Sequence, residues 1–111
     1  MSAARKAQSN AHAPYSNRPQ GAALQSVDGH VYTGASFELQ CLAGSVSAVE
    51  GALGSAVSDG QRDFAMLAAV PRVLFGDALQ LLKEFNPDLP IVTEEPDGTL
   101  SIRLLSELLP Y

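Results

Sequence analysis

An unbroken apolar run, FAMLAAV at residues 64–70, constrains this chain more than any other feature. A strand with one wet face alternates apolar and polar residues. Seven apolar residues in a row read instead as a strand buried on both faces. The run is far too short to cross a bilayer, which takes about 20 residues. It therefore predicts an inner strand of a sheet covered by helices.

The remaining elements follow from periodicity and turn chemistry. Residues 2–10, rich in Ala with Arg5, Lys6 and Gln8, suit a short helix that frays and ends before Pro14. Residues 21–27 and 30–39 read as strands joined at Asp28-Gly29, a hairpin-type turn. Residues 45–58 place Val46, Val49, Leu53, Ala56 and Val57 on one helical face, with Ser45 as the expected N-cap and Asp59-Gly60 as the stop. A second helix is expected over 77–85, with Leu79, Leu82 and Phe85 on one side. Short strands are expected over 90–94 and 99–104, separated by a Pro96-Asp97-Gly98 turn, and a helical turn over 106–109 before Pro110. The order is α/β: a single domain over residues 1–111, with a mixed five-stranded sheet flanked by helices and a frayed N-terminal helix within 1–13.

Charge and cysteine usage narrow the function classes. The net charge is -5, and the seven Lys and Arg are scattered, so no phosphate-binding surface is indicated and no nucleic-acid partner is expected. One cysteine, Cys41, permits no intrachain disulfide. Residues 1–10 carry two positive charges without an apolar core and do not read as a signal peptide. A cytoplasmic protein with no membrane association is the expectation.

Four segments in order carry a family resemblance. HAPYSNRPQGAAL at 12–24, VDGHVYTGASFEL at 27–39, VSDGQRDFAMLAAV at 57–70 and LSELLP at 105–110 closely resemble the small cytidine deaminases, over about residues 4–110 with a short deletion before residue 74. The resemblance implies a three-layer α/β/α fold. It also implies a zinc ion held by Cys or His and two further Cys, with a Glu that shuttles protons. Such a zinc brings the pKa of bound water from about 15.7 to about 7.

At the matching positions this chain departs from that pattern. The three zinc-ligand positions read Ser47, Phe75 and Ala78, and the proton-shuttle position reads Val49. Phe, Ala and Val carry no donor atoms. Glu50 stands where the family often has Arg. From these substitutions the expectation is no catalytic residue, no metal and no cofactor, with zinc absent and Val49 and Phe75 filling the space. The family's Asn-x-Glu pair for ribose hydroxyls reads Ser36-Phe37-Glu38. The aromatic that usually lines the base pocket reads Arg18, and the next apolar residue of that stretch reads Gln20. Arg18, Ser36 and Glu38 are the residual ligand-binding candidates for a nucleoside or another small molecule, unless this face is simply solvated. The chain stops at Tyr111, where the resemblance implies a further lid segment over a neighbour's site.

Other groups have plainer expectations. Cys41 reads as a small buried hydrophobe, His12 and His30 as exposed, Asp77 as a helix-start residue, and Arg62, Asp63, Glu94 and Glu95 as surface. The expected function is a catalytically inactive deaminase-like binding or assembly module, a homodimer or homotetramer packed through small residues Ala48, Gly51, Ala52 and Ser55. Two alternatives stand beside it: a nucleoside-deaminating hydrolase by family similarity, or an enzyme of another class using Glu38, Glu50, Asp77 and Arg18 in the same cleft.

Overall fold

The apolar run forms β3, Phe64–Val70, the middle strand of a five-stranded sheet. A computed structural model describes residues 1–15, 17–38, 46–70, 76–95 and 97–108, without the side chains of 76–78. Around β3 stand β1 (Gly21–Ser26), β2 (Val31–Ala35), β4 (Pro90–Glu94) and β5 (Leu100–Leu104), in the order β2-β1-β3-β4-β5. The β3–β4 pair is parallel and the other three are antiparallel, so the sheet is mixed as expected. Helices α1 (Ser2–Gln8), α2 (Ala48–Ser58), α3 (Gly76–Lys83) and α4 (Leu105–Leu108) complete the chain.

Each sheet face has its own apolar cluster. Ala22, Leu24, Leu67 and Ile91 meet α2 through Ala48, Val49, Ala52, Leu53 and Ala56, and α3 through Leu79 and Leu82. On the other face Ala23, Ala68, Val70 and Val92 pack with Ala4. Fully burying a side chain such as Leu24, Leu67 or Leu82 contributes about 1.5–3 kcal/mol, so the larger cluster dominates stability. The run at 64–70 is not covered throughout. Met66 lies two residues before Ala68 on the α1 face and is 37% exposed, because the seven-residue α1 stops short of it.

Small residues set how near the helices come. A Cβ on Gly34 would lie 2.2 Å from the Ala48 carbonyl oxygen and 2.4 Å from the Ala52 amide, so β2 and α2 touch backbone to backbone. Ala48 and Ala52 are sealed in this contact. Their smallness therefore serves the chain's own sheet, and not the intersubunit contact expected of them.

Several element ends differ from the sequence expectation. Helix α2 begins at Ala48 with Ser47 as its N-cap, not at Ser45, which lies outside the described residues. The Phe37–Val46 bridge keeps Val46 extended up to that cap. Helix α3 spans 76–83, so Asp77 sits inside its first turn rather than capping it. Strand β2 stops at Ala35, because beyond it the backbone groups of Ser36 to Glu38 pair with His12, Gln20 and Val46.

Gly34→Ala is expected to cost about 1–3 kcal/mol or more by overpacking against fixed backbone atoms. Gly54→Ala, on the exposed face of α2 with nothing within 4 Å, should stabilise by about 0.5–1 kcal/mol. Urea unfolding of both variants checks the pair. Equal effects would mean that α2 does not rest on Gly34.

Candidate functional site

The resemblance's binding and zinc positions meet where β2 ends and α2 starts. Three backbone pairings build this corner. His12 N–H donates to the Ser36 carbonyl at 2.9 Å, and Glu38 N–H donates to the His12 carbonyl at 2.9 Å. Phe37 and Val46 exchange N–H···O bonds at 3.1 and 2.9 Å, which places Ser47 immediately beyond the strand end. In the loop before β1, Asn17 N–H donates to the Ala13 carbonyl at 3.0 Å, and Asn17 takes a positive φ of 59, a conformation in which Asn is enriched.

Side chains then tie the parts together. A Glu38 carboxylate oxygen accepts from Tyr15 N–H at 3.1 Å. The buried Ser36 accepts at its hydroxyl from Gln20 N–H at 2.9 Å, and its own N–H donates to the Gln20 carbonyl at 3.1 Å. Gln20 Oε1 lies 3.5 Å from the Ala48 amide. Ser47 Oγ accepts from Glu50 N–H at 3.2 Å and donates to Glu50 Oε1 at 2.9 Å, a reciprocal Ser-x-x-Glu arrangement at the helix start. The Glu50 carboxylate also lies at the positive end of the helix dipole.

The structure thus gathers Ser36, Glu38, Ser47 and Glu50 in one corner. Arg18 is exposed in the adjoining loop. Val49 turns into the larger core cluster at 5% exposure. Ala78 lies in the first turn of α3. Phe75 and Cys41 lie outside the described residues. His12 and His30 are both exposed, and no contact brings them together among the described residues. Sequence reasoning missed the bridging by Gln20. A polar residue at an otherwise apolar position was the available signal.

A second polar group lies at the opposite end of α2. Asp28 accepts from the Ser26 hydroxyl, from Gln61 Nε2 at 3.0 Å and from the His30 amide at 3.3 Å, and its Oδ1 lies 3.0 Å from His30 Nδ1. The Ser26, Gln61 and His30 hydrogen bonds, in that order, hold its carboxyl well below the usual carboxylate range. The Tyr32 hydroxyl donates to Asp59, which pushes the Tyr32 phenol above its ordinary value.

The family model described as the cytidine and deoxycytidylate deaminase zinc-binding region matches residues 1–74. A cytidine deaminase of Sporosarcina psychrophila is 35% identical over 112 residues, covering 96% of this chain and 82% of that protein. The crystal structure of cytidine deaminase from Burkholderia pseudomallei aligns with TM-score 0.92 at 33% identity, over 99% of this chain and 93% of the other. That from Mycobacterium leprae aligns with TM-score 0.85 at 29% identity, again over 99% and 93%.

These matches correct two expectations. The chain was expected to be catalytically inactive; relatives over almost its whole length carry the name of an active deaminase and nothing in the matches indicates inactivity. It was expected to need no cofactor; the matched model is that of a zinc-binding region. The residues themselves set a separate limit. Among the described residues no three His, Cys, Asp or Glu side chains gather to hold a metal ion, and the Ser47 hydroxyl is committed to the helix cap. The described residues thus do not fit a three-donor zinc centre.

Two measurements test the polar contacts. Ser47→Ala is expected to cost about 1 kcal/mol in urea unfolding, the usual loss for an N-cap hydroxyl; an unchanged midpoint would remove the cap. Asp28 has a folded-state pKa below its ordinary value of 3.8, so its stabilisation is present above that value and is lost as pH falls toward the folded one. Between pH 7 and about pH 3 the unaltered chain should lose more stability than Asp28→Asn, and parallel losses would refute this.

Proposed function

We propose, since this chain belongs to the cytidine deaminase family, that it is a nucleoside-deaminating hydrolase, exchanging the exocyclic amine of a cytidine-type base for oxygen from water with release of ammonia. The observation that carries this reading is the family match over residues 1–74, which includes the corner where β2 meets α2. Glu38 adds chemical support. Its amide is pinned to His12 and its carboxylate to Tyr15 N–H, so it is presented in a fixed direction. A carboxylate accepts hydrogen bonds, and accepting from the hydroxyls of a ribose is the role that the resemblance gives this position.

In this reading Ser36 and Arg18 flank the ligand, and Ser36 acts through Gln20. Zinc is the cofactor that the family match points to, with donors beyond those the described residues supply. A homodimer or homotetramer is proposed as the assembly, and the cytoplasm as the location. With Ala48 and Ala52 sealed against β2, an assembly through α2 would use its exposed residues, Ser55 among them. None of the described helices is long and apolar enough to cross a membrane.

The test is turnover. Purified chain is supplied with cytidine and 2′-deoxycytidine, the loss of cytosine absorbance is followed, and zinc is quantified on the same sample by mass spectrometry. Deamination is expected, and the zinc content reports whether donors beyond the described residues complete a metal site. Glu38→Gln should raise KM about tenfold or more, as for a lost hydrogen bond to a charged group, while the thermal midpoint changes little. Absence of turnover in zinc-supplemented protein would overturn the reading.

A further inference from the structure

Gln20 occupies a position where the family pattern has an apolar residue, and its surroundings give its carboxamide a direction. Its backbone is held by Ser36 through bonds of 2.9 and 3.1 Å. Its side chain reaches the first turn of α2, with Oε1 3.5 Å from the Ala48 nitrogen. A backbone N–H only donates, so the oxygen is the end of the carboxamide that meets it, and the amide orientation follows from chemistry. Nε2 is turned the other way and makes no hydrogen bond among the described residues. Gln20 is partly exposed, so Nε2 is not sealed in the core. The corner thus offers donors from the side chain of Gln20, whose backbone Ser36 holds.

We propose that Gln20 is a specificity-determining residue of this site, selecting a ligand that presents a hydrogen-bond acceptor, such as the ring carbonyl of a pyrimidine nucleoside. The inference rests on the reading that the site binds a nucleoside. An apolar residue there would accept a base through contact alone. A carboxamide anchored at one end adds a demand for an acceptor, since a donor or apolar group opposite Nε2 would leave its N–H groups without water or partner.

Two substitutions separate ligand contact from support of α2. Gln20→Glu keeps an acceptor for the Ala48 amide and adds a negative charge that a helix N-terminus favours, but removes the Nε2 donors. Gln20→Leu removes both. Uridine and cytidine binding is measured by calorimetry on the full chain, with the Ala48 amide resonance and the thermal midpoint recorded for each variant. The expected result is nucleoside binding by the unaltered chain, weakened about threefold to tenfold in both variants. The Ala48 resonance should move strongly only in Gln20→Leu, and the midpoint of Gln20→Glu should not fall. Binding by both variants within twofold of the unaltered chain would overturn the role of Gln20 and leave the nucleoside reading standing. Failure of the unaltered chain to bind either nucleoside would overturn both.

Discussion

The backbone contact of β2 with α2 at Gly34 is the constraint on which the rest of this structure depends. No side chain separates strand from helix there, and the Ala48 carbonyl and Ala52 amide occupy the volume that a Cβ would need. The helix thereby brings its first turn to the very end of the strand. The buried cluster of Ala22, Leu24, Val49, Leu53 and Ala56 then closes over it. Moving α2 outward by the width of a methyl group would open that cluster and carry Ser47 and Glu50 away from the end of β2, so core packing and the geometry of this corner are set by one contact.

Within the corner, the same few polar atoms serve structure and chemistry. The Ser47 hydroxyl both accepts and donates within the first turn of α2, a use that a hydroxyl allows and a methyl group does not. That commitment gives a physical reason why Ser47 is a cap here and not a free donor. The family match nevertheless points to zinc and to deamination over the same residues. The expectation of lost function rests on Ser47, Val49, Phe75 and Ala78 taken together, whereas the family match over residues 1–74 rests on that stretch as a whole and extends over Ser47 and Val49.

Most of the fold was legible because its signals are local. The apolar run at 64–70, the Asp28-Gly29 turn and the spacing of Leu79 and Leu82 each specify an element without reference to the rest. The mixed five-stranded sheet followed from a hairpin succeeded by alternating strands and helices, whereas the strand order is set by pairings between distant residues. What was not legible depends on distant partners. Ser45 and Ser47 are equally good caps by type, and only the pairing of Phe37 with Val46 selects Ser47. Ala48 and Ala52 looked like a surface for a second copy until Gly34 was placed beneath them. Of the candidate site, Ser36 and Glu38 were legible from the motif, whereas the reach of Gln20 to the Ala48 amide joins residues 28 apart and has no local signature.

The two ends of α2 are fastened to the same β1–β2 hairpin by polar groups in different surroundings. At the start, the Gln20–Ser36, Gln20–Ala48 and Ser47–Glu50 contacts are partly buried. At the other end, the Tyr32–Asp59 and Gln61–Asp28 bonds are exposed. A contact in a low effective dielectric keeps its strength, while water and salt screen an exposed one. Acid weakens the far end only below the ordinary carboxylate range, because hydrogen bonds from Ser26, Gln61 and His30 keep the Asp28 carboxyl ionised to lower pH. The corner at the start of α2 is held by core packing and by the Gln20 and Ser36 contacts together with the Glu38 and Glu50 carboxylates.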